Sequence, residues 1–315
     1  MASAEQIPVI QREASVPFWL TPPAYWTPTH FPTSAWRTHA PFAAWIMDAL
    51  RPTVVVELGT HYGYSAFAFA EAAKRLGLPV SIHALDTWIG DDHAGFYDDE
   101  VLRYVEAISQ EQYPESMRLH RGLFTESRAL FEDSSVDLLH VDGRHAYEDV
   151  LADYSEWKSS VREGGVVLFH DIAETEKGFG VWRLWEEIAT PGRSFAFEHG
   201  HGLGVLSIGE PSEPSLRALF NADQATADRI RADFSRLGEL CTQQAWLLTL
   251  PKELEQVRME VRARVEKEER QAAAIDALQK QLDDLEERIV AIHASRSWRI
   301  TRPLRALARL LPSRA

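Results

Sequence analysis

Apolar and polar positions come in alternating blocks through the first two-thirds of the chain. Val54, Val55, Val56 and Leu58 make a short apolar run, which suits a strand buried on both faces of a parallel sheet. A turn punctuated by Gly59 and Gly63 follows. Then comes a stretch of strong helix formers from Tyr64 (YSAFAFAEAAKRL), which Gly77 stops. The rhythm recurs. Residues 34–50 read as a helix capped by Ser34 and ended by Pro52. PVSIHALD reads as a second strand ending in Asp86, and MRLHRGLFTES as a third ending near Gly122. Val136 to Val141 form a fourth, and VVLFHD after Gly164-Gly165 a fifth that ends in His170-Asp171. A helix with Tyr147, Tyr154 and Trp157 follows the fourth strand, and one near residues 180–188 follows the fifth. SFAFE and LGVLSI, joined by HGHG, suit a hairpin. IGDDHAGFYDDEVL is acidic and broken by glycine, so it reads as a loop beside the strand ends. His93 within it is a substrate contact or polar surface.

The flanks follow other patterns. Residues 1–35 are dense in proline and aromatics, which excludes regular helix. They read as an irregular arm whose rings pack on the domain, or as a lid over a site. Residues 36–210 carry the alternating domain, and residues 211–250 a helical connector. From Pro251 to residue 293 one heptad register is unbroken. Positions 254, 261, 268, 275, 282 and 289 are Leu, Val, Glu, Ile, Leu and Ile; positions 257, 264, 271, 278, 285 and 292 are Val, Arg, Gln, Leu, Leu and Ile. That pattern predicts a coiled coil and a homo-oligomer; the competing reading is a lone solvated helix or one packed back on the domain. Residues 294–315 form a basic amphipathic tail whose charges are all arginine, suited to an anionic membrane surface or an acidic partner.

Composition narrows the classes. The chain has 315 residues, a net charge of −14 and one cysteine, Cys241. The charge speaks against a nucleic-acid binder, and the single cysteine against a disulfide framework or a Cys-rich metal site. With no basic leader and no spanning apolar run, the expected location is cytoplasmic, with peripheral contact at the inner membrane face through the tail.

The candidate chemistry lies where the strands end. Glu57, at the carboxyl end of the first strand, can hydrogen-bond a ligand amine or hydroxyl. Gly59 and Gly63 let a ligand approach the backbone of the turn. Their spacing, with His61 between them, does not fit the G-x-G-x-x-G of dinucleotide sites. Asp86 is placed to accept hydrogen bonds from a ribose, and Trp88 can lie against an adenine. Asp142, His170 and Asp171 end neighbouring strands and form a candidate site for Mg²⁺ or Mn²⁺. The imidazole shifts the preference toward Mn²⁺.

The turn E-x-G-x-x-x-G-x-S, residues 57–65, resembles the first motif of the catechol and caffeoyl-CoA O-methyltransferases. That resemblance implies a Rossmann-like α/β fold of class I, with parallel strands closed by a terminal β-hairpin and, in this chain, a coiled-coil helix appended. It implies S-adenosylmethionine as cofactor, held at Glu57, Gly59, His61, Gly63, Ser65, Asp86 and Trp88, with adenine contacts at Leu123 and Phe124. It implies a metal at Asp142, His170 and Asp171; the family has a carboxylate where this chain has His170. It places the catalytic base three residues after Asp142, at His145, where the family commonly has Lys. Histidine titrates near neutrality and suits that role. Over residues 36–208, DLLHVDGRHAYEDV, GGVVLFHD, FGVWRLWEEI and HGHGLGVL resemble a bacterial methyltransferase family found with polysaccharide and glycosyl-transfer enzymes. Sugar O-methyltransferases of macrolide pathways have a similar metal site. The tail resembles those of O-antigen and capsule enzymes, in which a coiled coil precedes a membrane-docking helix. The implied activity is metal-assisted methyl transfer to a hydroxyl of a small-molecule or glycan acceptor, with the tail contacting a membrane or a glycosyltransferase complex. The alternative is a degenerate scaffold that recruits glycan-assembly enzymes to the membrane. A nucleotide-sugar or NAD enzyme fits neither the glycine spacing nor the hairpin.

Overall fold

The computed structural model describes residues 16–91 and 95–308. His93, the start of the arm and the last seven residues of the tail lie outside them. The chain divides into two units, Met1–Trp246 and Leu247–Ala315.

The first unit is built on a seven-stranded sheet. Its strands are β1 (Val54–Leu58), β2 (Ser81–Asp86), β3 (Met117–Arg121), β4 (Val136–Val141), β5 (Val161–His170), β6 (Ser194–Phe197) and β7 (Leu203–Ser207). The spatial order is β3-β2-β1-β4-β5-β7-β6. Strands β1 to β5 pair in parallel, and β7 closes the sheet antiparallel to both β5 and β6. The order reverses between β1 and β4, which is where open α/β sheets bind ligands. The helices of this unit are α1 (Ala40–Leu50), α2 (Tyr64–Leu76), α3 (Asp99–Gln112), α4 (Phe124–Arg128), α5 (Tyr147–Trp157), α6 (Val181–Ile188), α7 (Pro214–Phe220) and the start of α8 (Gln224–Ala294). One apolar layer joins the sheet to α1, α2, α3, α7 and the start of α8, and a second joins it to α5 and α6.

Three local readings change. Ser34 does cap, its side chain accepting from the Trp36 N–H, but the segment it starts is a 3₁₀ turn, Ala35–His39, before α1. The acidic stretch expected to be loop gives way to α3 at Asp99. Asp98 caps that helix, and Val101, Leu102 and Val105 bury its apolar face. Counting charges hid this three-residue apolar stripe. The fifth strand begins at Val161, so Gly164 and Gly165 lie within it and do not merely precede it.

The arm packs its rings onto the unit. Trp19 is buried and donates its indole N–H to Asp233. Trp45 donates to the Phe18 carbonyl. Thr29 donates twice to Glu71 on α2. Each indole thereby buries its ring and keeps a partner for its polar edge.

In the second unit α8 continues and carries the heptad positions. Leu254, Val257, Val261, Ile275, Leu278, Leu282, Leu285, Ile289 and Ile292 are all exposed. Two short helices follow, α9 (Arg296–Ile300) and α10 (Arg302–Ala308). Ser295 caps the first. Arg305 lies over the Trp298 ring at 3.6 Å and donates to the Trp298 carbonyl, so the tail folds on itself. Among the described residues no helix is long and apolar enough to cross a membrane.

Candidate active site

A cavity of about 910 Å³ opens at the carboxyl ends of β1, β2, β4 and β5. That is near the top of the range for small-molecule sites. Its floor is the turn between β1 and α2. Gly59 has φ +93°, and a Cβ there would collide with the carbonyl oxygen of Asp142. Glycine is therefore what lets the loop after β4 lie against the loop after β1, with the Asp142 N–H donating to the Leu58 carbonyl at 2.8 Å. The Asp86 carboxylate clamps the same turn. Its Oδ2 accepts from the amides of Thr60 and His61 at 2.9 and 2.7 Å, and its Oδ1 accepts from Trp88 N at 2.7 Å. A carboxylate has about four acceptor sites, so Asp86 keeps some capacity for a ligand while holding the turn.

At the far ends of β4 and β5 the ionisable groups converge. His170 Nδ1 lies 3.2 Å from Asp142 Oδ1 and 3.3 Å from Asp171 Oδ2. His145 Nε2 lies 3.0 Å from Asp171 Oδ2 and 3.8 Å from Asp142 Oδ1. Candidate ligand atoms of Asp142, His170 and Asp171 all fall within 4.8 Å of one another. The other ring nitrogen of His170 donates to the Gly200 carbonyl at 3.1 Å, and buried His39 donates to the same oxygen at 3.0 Å. That carbonyl can only accept, so the proton of neutral His170 sits on Nε2. Nδ1 is the nitrogen that faces the two carboxylates, within hydrogen-bond distance of Asp142. An imidazole anchored through one nitrogen by a carbonyl is the usual arrangement of a metal-binding histidine. The donor set fits a divalent cation.

The electrostatics agree with this geometry. Burial works against charge on His170 and His145, yet Asp142 and Asp171 outweigh it and raise the two imidazoles to about 10 and about 9. Burial likewise favours neutral Asp142, but His170 and His145 hold that carboxyl far below its usual range, and Asp171 shifts the same way. Burial, with the neighbouring His170 and His199, keeps His39 well below its ordinary value. The bare cluster is thus two carboxylates balanced by two imidazolium ions.

Loops brace these groups. The His145 ring stacks on Phe179 at 4.6 Å, and its carbonyl accepts from Gly180 N at 2.8 Å. Asp171 N donates to the Gly202 carbonyl of the β6–β7 connection at 3.0 Å. His61, Asp171, Lys177 and His201 all line the cavity with positive φ although none is glycine. Such strained backbone is concentrated at functional sites.

Ten of the predicted residues line this cavity: Gly59, His61, Ser65, Asp86, Leu123, Phe124, Asp142, His145, His170 and Asp171. Three do not. Glu57 is fully buried beneath the turn, its Oε1 accepting from Ser65 Oγ at 2.5 Å and from His140 Nδ1 at 3.0 Å. It supports Ser65 and is not itself in the lining. Gly63 serves the helix start, where a side chain would crowd Phe67. Trp88 is buried and donates its indole N–H to the His61 carbonyl at 3.0 Å, so it braces the turn from outside the cavity lining. Other lining residues escaped the sequence reading. Asp149 and Asp153 share one face of α5 at i, i+4 spacing, a signal that could have been read. Burial, with Asp149 and Glu156 nearby, pushes the Asp153 carboxyl up to about 7. Thr33, Ser34 and Ala35, the end of the arm read above as packing or as a lid, line the cavity with Trp36, Phe179 and His201. No local pattern announced the last three.

A family model described as a methyltransferase domain matches residues 56–172, the stretch from β1 to the end of the Asp142–His170–Asp171 cluster. An uncharacterized protein of Sinorhizobium fredii is 48% identical over 201 residues, which is 62% of this chain and 22% of that protein. The chain therefore spans about a fifth of the length of that relative. Among solved structures, the O-methyltransferase TomG of Streptomyces achromogenes, in complex with SAM, shares 12% identity over 57% of this chain and 82% of its own, with a TM-score of 0.43. An O-methyltransferase of Bacillus cereus, in complex with SAH, shares 15% over 58% and 84%, with a TM-score of 0.42.

Proposed function

We propose that this chain, whose residues 56–172 match a methyltransferase-domain family model, transfers the methyl group of S-adenosylmethionine to a hydroxyl oxygen of a sugar, glycan or related small molecule, with a divalent cation assisting. The observation that carries the reading is the convergence of Asp142, His170, Asp171 and His145 on one cavity wall beside the Gly59 turn. S-adenosylmethionine supplies an electrophilic methyl on a sulfonium centre. The residues fit that cofactor. The turn from Gly59 to Ser65 offers backbone and a hydroxyl, Asp86 offers acceptor capacity, and Leu123 and Phe124 offer apolar contact for a base. The carboxylates around the cavity favour a cationic sulfonium.

The chain's own groups divide the remaining tasks. His145, stacked on Phe179 and 3.0 Å from Asp171, takes the proton from the acceptor hydroxyl in its neutral form, which its value of about 9 makes the minority at neutral pH. Asp142, His170 and Asp171 would hold Mg²⁺ or Mn²⁺, which supplies Lewis acidity toward acceptor oxygens when bound. Residues 33–36 and the loop around Phe179 wall the cavity beside these groups. A sugar acceptor is supported by the sequence resemblance to polysaccharide-associated methyltransferases and by the oxygen-rich ligands such a metal prefers. Against the degenerate-scaffold alternative stands the mutual contact of Asp142, His145, His170 and Asp171 on the cavity wall.

The test is calorimetric titration with S-adenosylmethionine and S-adenosylhomocysteine, with and without Mg²⁺ or Mn²⁺. Micromolar binding is the expected result. No binding under any of these conditions would overturn the reading and favour the scaffold.

A further inference from the structure

The heptad face of α8 carries charge in the middle of its seam, and that charge specifies how two copies pair. Within the second unit the seam comprises Leu247, Leu250, Leu254, Val257 and Val261, then Arg264, Glu268 and Gln271, then Ile275, Leu278, Leu282 and Leu285, with Ile289 and Ile292 beyond. Its apolar members are each exposed, Leu247 the most at 70% and Leu254 the least at 49%. A helix leaving that much regularly spaced apolar surface in water gains by covering it.

A parallel in-register pair sets every seam residue against itself. Glu268 then meets Glu268, and Arg264 meets Arg264, in adjacent buried layers. An antiparallel pair sets each a position against a d position of the other helix. One antiparallel register sets Arg264 against Glu268 of the second copy, and, by the two-fold axis, Glu268 against its Arg264. The remaining layers then follow without freedom. Val261 meets Gln271, Val257 meets Ile275, Leu254 meets Leu278, Leu250 meets Leu282, and Leu247 meets Leu285. Four of the six layers are wholly apolar, and the only charged one is complementary. Shifting this register by one heptad sets Arg264 against Ile275 and Glu268 against Gln271, so neither charge meets an opposite charge of the second copy and each keeps only its partner on its own helix, Arg264 Nε lying 3.3 Å from Glu268 Oε1. Val265, beside the centre of the seam and 47% exposed, comes opposite its own copy. Polar seam residues are known to select register and orientation in coiled coils at some cost in stability. Pro251 falls at an e position, off the seam.

We infer that the chain forms an antiparallel two-stranded coiled coil with a second copy of itself through residues 247–285, its register set by Arg264 facing Glu268. The inference is independent of the catalytic reading.

Full-length single variants Leu254→Cys and Leu278→Cys and the double variant test it, with the wild type and its buried Cys241 as background. Light scattering should give about twice the 35.7 kDa chain mass. On oxidation the double variant should run as a covalent dimer, and neither single variant should. Self-linking of either single variant would mean a parallel pair and overturn the inference. Efficient linking of a Leu254→Cys/Leu285→Cys variant, with Leu254→Cys/Leu278→Cys unlinked, would mean the shifted register and overturn it too. A wild-type mass of one chain would do the same. Arg264→Glu should convert the dimer to monomer, and Arg264→Glu with Glu268→Arg should restore it; this pair reads the charge contact in helices of unchanged composition.

Discussion

Two buried carboxyl–imidazole pairs lie a few residues apart on the same strand, and they have different fates. Glu57 and His140 face each other across β1 and β4 at 3.0 Å, and neither is exposed at all. Asp142 and His170 meet at 3.2 Å at the ends of β4 and β5, with Asp142 about one-fifth exposed. The first pair is closed off. Ser65 takes the same oxygen of Glu57, and Trp36 and Phe69 pack edge-on against the His140 ring. The second pair gains another carboxylate, Asp171, another imidazole, His145, and a cavity. The residue types are the same. Position relative to the strand end decides whether they hold the sheet together or face a ligand, because only beyond the last ladder hydrogen bond does the chain open into space.

That contrast can be broken most sharply at Asp142. Asp142→Ala should lower Mn²⁺ affinity by about 100-fold or more while the thermal transition persists; calorimetry and a melting curve read both. Equal affinity in the variant would remove the cation from the site. Glu57→Ala should show the reverse pattern. It strands His140 Nδ1 in the core and should cost on the order of 2 kcal/mol, a drop of about 4–8 °C in Tm for a unit of this size, with Mn²⁺ affinity within about threefold of wild type. If Glu57→Ala weakened the cation as much as Asp142→Ala, the two pairs would be one network. Trp88→Phe sharpens the distinction between bracing and contact. Losing its bond to the His61 carbonyl should cost about 1 kcal/mol, seen in denaturant midpoints, without abolishing cofactor binding. A loss of binding at unchanged stability would return Trp88 to the cavity.

The smallest effect concerns an imidazole pair with no carboxylate. His83 Nδ1 and His120 Nε2 lie 2.9 Å apart on β2 and β3, and burial, with His120 and Arg118 adding, takes His83 down to about 4. A histidine lowered in the fold is held neutral there, so its contribution is complete above the free value near 6.5 and is lost as pH falls from about 6.5 to about 4. Stability should decline across that window, and His83→Gln should flatten the decline. An unchanged slope would assign the pH dependence elsewhere.

Much of the site could be read from the sequence because its parts are local. A strand, a glycine turn and a helix follow one another within residues 54–76, and an acidic or imidazole residue closes β2 and β5 and directly follows β4. What could not be read is direction. Glu57 and Asp142 are both acids near strand ends, but the register pairs Glu57 with His140 inside the ladder and leaves Asp142 one residue beyond it. Trp88 sits two residues past Asp86, yet its φ of +51° turns the ring under the turn. Nor does any run of residues tell that Gly200, thirty positions after His170, presents the carbonyl that decides which nitrogen of that imidazole faces the carboxylates. The α8 seam is the opposite case. Its heptads are complete in the sequence, and the structure adds only that the face is uncovered in the single chain.

The sequence by itself determined the alternation of strands and helices, the closing hairpin, the donor types at the strand ends and the charge at the centre of the seam. These depend on hydrophobic period, turn chemistry and residue identity, which act over a few neighbouring positions. Only the tertiary structure decided which acid supports and which lines the cavity, which ring nitrogen of His170 faces the carboxylates, and which residues of the arm wall the site. Those depend on contacts between segments far apart in the chain, made by packing that no local pattern encodes.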